Sequence, residues 1–179
     1  TPPPDLTHIG PSFDTPSPVS PKEVSDILNS IPLFLSRLLP HINSSSNFNS
    51  FQSAYRPHHS TETALTFTLD NVFHAADTGS ATLLVSLDLS AAFDSINHNI
   101  LISRLSSCFG LTGLALDWIS SYLHNRRQYV KIGEACSPLS NITSGVPQGS
   151  VLGPILFALH TSPISAIADA HGVLQQQYA

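Results

Sequence analysis

The stretch "ATLLVSLDL", Ala81–Leu89, runs on into "SAAFDSINH", Ser90–His98. Its first part is too continuously apolar for a strand with one wet face, so it predicts a central β-strand covered on both sides. That strand would end on Asp88, and a buried carboxylate must be paired, neutralised or bound to a metal. Two readings fit Asp88: a cap on the turn that follows, or a ligand for Mg²⁺, a hard cation that takes carboxylate oxygens. Asp94 reads as a cap, either of the helix that starts at Asn97 or His98 or of the turn before it.

Working outward, helical patterns flank the strand. Ser60 or Thr61 caps a helix whose stripe is Leu65, Leu69, Val72, Phe73 and Ala76, closed by Asp77-Thr78-Gly79. After the strand, a helix runs through Leu101, Leu105 and Phe109 to Gly110, and another covers 113–124 with Trp118, Ile119, Tyr122 and Leu123. "RRQYVKIG" and "LSNITSG" form a hairpin around "EACSP". "SVLGPILFALHTSPISAIADAHG" is helical with a break near Pro163, and "LQQQYA" begins a strand. Upstream, Ser20-Pro21-Lys22-Glu23 starts a helix that stops before Pro32. "LFLSRLLPHI", 33–42, is a second short helix interrupted by Pro40. Residues 1–19 hold six of the fourteen prolines and read as an extended tail. Helices and strands mix without strict alternation, which makes the class α+β.

The totals narrow the function. The 179 residues suffice for one domain with a core, and hydrophobic residues make up 41%. Charged residues are only 11%, against the usual ~25%, which suits a piece of something larger or a surface awaiting a partner. The net charge of −5 argues against a strongly basic nucleic-acid footprint. Cys108 and Cys136 make no disulfide framework and read as buried or incidental thiols, as in an intracellular protein. No apolar run reaches the ~18 residues that span a membrane, no leader pattern is visible, and a start at Thr1 reads as a cut or processed end. The sequon Asn141-Ile142-Thr143 reads as chance.

In "SGVPQGSVLGP", 144–154, Gly145, Gly149 and Gly153 recur every fourth residue ahead of a helix. Glycines there allow close backbone approach to a ligand, or simply tight packing and a turn. No Gly-Lys-Ser/Thr follows, so it is not a nucleotide-hydrolase phosphate loop, and Ser150 has the wrong spacing for a nucleophile elbow. His58, His59, His74, His98, His124, His160 and His171 are scattered, without the spacing of a zinc site. Arg126, Arg127 and Lys131 with Tyr129 form a small basic, aromatic patch, which reads as a nucleic-acid backbone contact or as a solvated strand end.

Four segments in this order, "FQSAYRPHHSTETAL", "LVSLDLSAAFDSINH", "SGVPQGSVLGPILF" and the closing "QQQYA", resemble the reverse transcriptase of a non-LTR (LINE-type) retrotransposon. The match covers roughly Leu33 to Ala179. The resemblance implies a right-hand polymerase fold with part of the palm and fingers, and RNA-directed DNA polymerisation by two-Mg²⁺ in-line phosphoryl transfer. Its partners would be an RNA template, a DNA primer and deoxynucleoside triphosphates. Asp88 matches the first metal-binding, catalytic aspartate. The backbone from Leu89 through Ser90, Ala91 and Ala92 would lie along the triphosphate. Phe93 matches the residue that crowds the sugar 2′ position. Pro147, Gln148 and Gly149 match the element packed on the nascent base pair and template. Arg56 lies in a fingers-side segment with no role assigned.

The chain departs from the family in two places. Tyr178-Ala179 open a Tyr-Ala-Asp-Asp box whose two aspartates are absent from the sequence, leaving one carboxylate at the centre. Near Ile31-Pro32-Leu33, segments that lie apart in these elements are joined, as across a deletion. The expected organisation is therefore a proline-rich tail at 1–19, an upstream helix at 20–32 and a partial reverse transcriptase domain at 33–179. The expected function is that of a remnant, inactive as it stands, that acts inside the cell in nucleus or cytoplasm. A retroelement-derived module that binds nucleic acid or protein without catalysis is the alternative, and a hydrolase using Ser150 lacks any supporting triad spacing. An unpaired edge on 81–89 would favour self-association.

Overall fold

The computed structural model describes residues 12–13, 21–147 and 149–178. Their elements run β1 (Ser12–Phe13), α1 (Pro21–Ser44), α2 (Thr61–Asp77), α3 (His98–Ser107), α4 (Gly113–Leu123), β2 (Arg127–Tyr129), β3 (Lys131–Ile132), β4 (Ala135–Cys136), β5 (Ser140–Asn141), α5 (Gly153–Thr161) and α6 (Ile164–Ala170). The mixture of helices and short strands is α+β, as the pattern predicts.

Helix α5 is the centre of the core. Gly153 and every residue from Ile155 to Leu159 are buried, as expected of a helix that is apolar all round. Helix α3 packs on it and α4 packs on α3, with Leu101 and Leu105 of α3 and Ile119 and Leu123 of α4 buried in the same core. Arg104 donates to the carbonyl of His160, which ties α3 to the end of α5. Local chemistry sets the helix ends. The Ser60 hydroxyl accepts the Thr63 N–H while the Thr63 hydroxyl accepts the Ser60 N–H, a closed capping box. The Asn97 side chain accepts the Ile100 N–H, so Asn97, and not Asp94, caps α3. At the far end of α3, Gly110 turns at φ +65° and Leu111 N–H returns to the Leu105 carbonyl.

The hairpin forms in two tiers. Strand β2 pairs antiparallel with β5, Arg127 opposite Asn141, and β1 adds on the other side with Ser12 opposite Tyr129. Beyond Val130, β3 pairs with β4, Lys131 opposite Cys136. The Ser137 hydroxyl accepts the Val130 N–H and bridges the tiers. Ser12 and Phe13 therefore belong to a sheet edge; the rest of the proline-rich tail, with Ser20, lies outside the described residues.

Four expectations fail. The helix from Pro21 does not stop at Pro32: α1 is continuous to Ser44, with Pro32 and Pro40 inside it. An interior proline costs about 3 kcal/mol or more. Against that, Leu38 and Ile42 are buried and Phe34, Leu35 and Leu39 pack on the same core. At ~1.5–3 kcal/mol per fully buried side chain, this stripe offsets both prolines. Phe34 also stacks on Trp118 at 4.3 Å, and the His41 ring nitrogen meets the Phe109 carbonyl at 2.6 Å.

The segment 81–89 is not a buried central strand. It takes neither helix nor strand, pairs with no strand among the described residues and is exposed at every position, with Leu83 at 88% and Leu87 at 86%. Composition can suit a segment to a sheet, but only a hydrogen-bonding neighbour makes it a strand. The stripe of α2 likewise faces solvent at Leu65, Leu69 and Phe73; Ala64 is the helix's buried residue, and Phe67 leans on Phe51 at 5.4 Å. "LQQQYA" contributes a single parallel bridge, Gln177 with Gln52, in place of a strand. Side-chain amides hold this end instead: Gln176 Nε2 donates to the Phe51 carbonyl and to the Ser53 hydroxyl.

Candidate active-site groove

Two loops distant in sequence are sewn together beside α5. Asn97 bridges antiparallel to Ser144, and His98 N–H donates to the Thr143 carbonyl. Gly145 N–H donates to the Ile96 carbonyl at 2.7 Å, and Val146 N–H to the Phe93 carbonyl at 3.0 Å. Gly145 makes this approach possible. It lies at φ +88°, and a Cβ there would stand 3.2 Å from the Asp94 Cα, a contact so tight that the Asp94 backbone would have to give by a few tenths of an ångström. The buried His98 completes the seam, its Nε2 2.7 Å from the Gly145 carbonyl oxygen.

The seam shapes a groove of about 220 Å³ lined by Tyr55, Phe93, Pro147, Gly149, Ser150, Gly153 and Pro154. Phe93 is half-buried and its ring meets Phe157 of α5 edge-on at 5.6 Å. Gly149 turns at φ +75°. The Ser150 oxygen accepts the Gly153 N–H at 3.0 Å, so this hydroxyl serves the start of α5. Among the described lining residues no side chain carries a charge.

Phe93, Pro147 and Gly149, expected from the sequence to act together, thus share one groove. Gln148 lies outside the described residues. Asp88, Leu89 and Ser90 are exposed on the segment leading in, and Ala92 is half-buried against the core. Ala91 takes a left-handed φ of +51°, and its carbonyl accepts both the Asp94 and Ser95 N–H groups, which makes the turn before Phe93. Arg127 and Lys131 are exposed on the hairpin, while Arg126 lies 5.7 Å over the Tyr122 ring. Cys108 and Cys136 are free thiols.

Tyr55 and Pro154 are lining residues that sequence reasoning did not single out. Pro154 carries the helix-start signal of a proline in the first turn. Tyr55 carries no signal except its place in "FQSAYRPHHSTETAL".

A pair of divalent ions needs several carboxylates in one place. Among the described residues no three His, Cys, Asp or Glu side chains converge, and Asp88 is solvent-exposed. The donor set present does not fit a two-metal centre. Nor is any described helix long and apolar enough to cross a membrane.

Residues 28–179 match the family described as reverse transcriptase (RNA-dependent DNA polymerase). The chain is 31% identical over 133 residues to the probable RNA-directed DNA polymerase from transposon BS of Drosophila melanogaster, covering 72% of this chain and 14% of that protein. It is 33% identical over 110 residues to the probable RNA-directed DNA polymerase from transposon X-element of the same species, covering 62% and 12%. To the RNA-directed DNA polymerase from mobile element jockey, also of Drosophila melanogaster, it is 29% identical over 153 residues, covering 82% and 16%. The chain therefore spans between about an eighth and a sixth of the length of these relatives.

Proposed function

This chain belongs to the reverse transcriptase (RNA-dependent DNA polymerase) family, with motifs of its non-LTR, LINE-type members, and we propose that it carries the part of an RNA-directed DNA polymerase that seats a nucleotide against its template. The observation that supports this is the single groove shared by Phe93 and the Pro147–Gly149 loop, held by the Val146-to-Phe93 hydrogen bond. In this reading Phe93 crowds the sugar, the loop containing Gln148 faces the base pair, and the turn from Leu89 to Ala92 brings backbone towards the triphosphate. The partners are an RNA template, a DNA primer and deoxynucleoside triphosphates, inside the cell. Asp88 is the catalytic, metal-binding carboxylate of the family pattern, but alone it does not complete a Mg²⁺ site. The 179 residues accordingly bind without polymerising. The exposed Arg127 and Lys131 are the cations offered to a nucleic-acid backbone.

The test pairs binding with synthesis. A labelled RNA template annealed to a DNA primer should bind the chain, more weakly after Phe93→Ala. Primer extension with Mg²⁺ or Mn²⁺ should give no product above an Asp88→Ala control. Extension that depends on Asp88 would show that the chain catalyses. No binding by the unaltered chain would remove the nucleotide-seating role.

A further inference from the structure

We infer that the groove accepts one unpaired nucleobase stacked on Tyr55, with the phosphates held outside; this rests on the reverse transcriptase reading and adds a contact residue to it. Tyr55 is 56% exposed, yet it lines the groove with Phe93. Hydrophobic burial therefore does not explain the placement. Its backbone sits at φ +58°, a region that a bulky residue enters only when its surroundings hold it there.

The surroundings do so. Gln52, Ser53 and Ala54 are buried. Ser53 N–H donates to the Gln177 carbonyl and Gln177 N–H to the Phe51 carbonyl, each at 2.9 Å. On the other side, Arg56 donates to the carbonyls of Asn49 at 3.3 Å and Ser50 at 2.9 Å, and its guanidinium lies 5.7 Å over the Phe48 ring. The ring of Tyr55 is thus presented from a fixed turn, and little ordering remains to be done on binding.

The chemistry of the lining names the occupant. A volume of about 220 Å³ is below the ~300–1,000 Å³ of pockets for drug-sized ligands, and suits one planar ring system better than a whole nucleotide. The walls are aromatic rings, prolines, glycines and one serine already bonded to Gly153. No described lining residue is charged, and the neighbouring Arg56 turns its Nη1 to the carbonyls of Asn49 and Ser50. The described lining offers a triphosphate no cation, whereas a base offers a π-face to Tyr55.

The test is anisotropy of a fluorescein-labelled six-nucleotide adenosine RNA titrated with the full chain at fixed salt, beside an abasic strand of the same length. The adenosine strand should bind more tightly than the abasic one. Tyr55→Ala should weaken it by about 5- to 150-fold, while Tyr55→Phe should stay within about twofold, because stacking uses the ring face and not the hydroxyl. Tyr55→Ala binding as well as the unaltered chain, with Phe93→Ala impaired, would overturn the inference and leave the parent reading intact. Equal binding of the abasic strand would show that the base does not enter. No binding by the unaltered chain would overturn both. Should Tyr55→Ala fail to fold, the Tyr55→Phe and abasic comparisons still decide: a large loss on Tyr55→Phe means the hydroxyl, not the ring face, makes the contact.

Discussion

The Nε2 of the buried His98 sits 2.7 Å from the carbonyl oxygen of Gly145, which makes Nε2 the donor and joins the first turn of α3 to the loop that walls the groove. The ring also meets His124 of the α4 terminus edge-on at 5.9 Å. His98→Ala should remove both contacts and leave the Gly145 carbonyl without its partner. Adding an unpartnered, part-buried acceptor to the cavity left by the ring gives a loss of roughly 2–4 kcal/mol. Urea unfolding followed by circular dichroism would measure it; a change below about 0.5 kcal/mol, the size of an ordinary surface substitution, would mean that the seam does not hold the fold.

Gly145→Ala separates crowding from backbone strain. Both Gly145, at φ +88°, and Gly133, at φ +59°, occupy the left-handed side. A Cβ on Gly133 meets nothing within 4 Å, whereas one on Gly145 meets Asp94 Cα at 3.2 Å and the Phe93 carbonyl oxygen at 3.4 Å. Gly133→Ala should cost about 1–2 kcal/mol, the conformational cost alone. Gly145→Ala should cost more, and should weaken oligonucleotide binding because Phe93 moves with its carbonyl. Equal unfolding midpoints for the two variants would refute the close approach.

Acid should loosen the α3–α5 junction. Burial, with the charge of Arg104 added, holds the His160 imidazole below its usual range. Its Nδ1 is buried without a partner among the described residues, so a proton there would have no acceptor. Above pH ~6.5 the ring is neutral both folded and unfolded, and its contribution is complete. As pH falls below that, the unfolded chain takes up the proton first. Stability is then lost until the depressed folded value is passed. Urea midpoints at pH 7.5 and pH 5 should fall less for His160→Gln than for the unaltered chain; parallel slopes would clear His160 of the effect.

What the sequence made legible was local. Ser60, Asn97 and Gly110 each mark a helix end through a neighbour a few residues away, and α2 and α3 begin or stop near those marks. Pro32 and Pro40 misled because local propensity opposed a long-range gain, the burial of Leu38 and Ile42. The 81–89 segment misled for the related reason that a strand is defined by its neighbour and not by its own residues. In the groove, Phe93 and the Pro147–Gly149 loop were brought together by their resemblance to a family pattern. Tyr55 was not, since nothing in a tyrosine announces a left-handed backbone fixed by Arg56 seven residues after Asn49.

The exposed run from Leu83 to Leu89 gives the sharpest test of this structure against the reading of its sequence. Leu83, Leu84, Val85, Leu87 and Leu89 are each more than half exposed. Leu65, Leu69 and Phe73 on α2 are bare as well, and large apolar side chains left in solvent favour association where they form a contiguous patch. The 11% charged content supplies little repulsion, so the chain should elute as oligomers at tens of micromolar and bind a hydrophobic dye. Leu83→Lys with Leu87→Lys removes two of the most exposed leucines and adds two charges. If the segment lies in solvent, the double variant should keep its unfolding free energy within about 0.5 kcal/mol, as surface changes do, while shifting the elution towards the monomer. If the segment is instead a central strand covered on both faces, two buried lysines would cost several kcal/mol and the variant should not fold. Soluble, cooperative unfolding of the double variant therefore supports the exposed segment, and loss of the folded signal supports the buried strand.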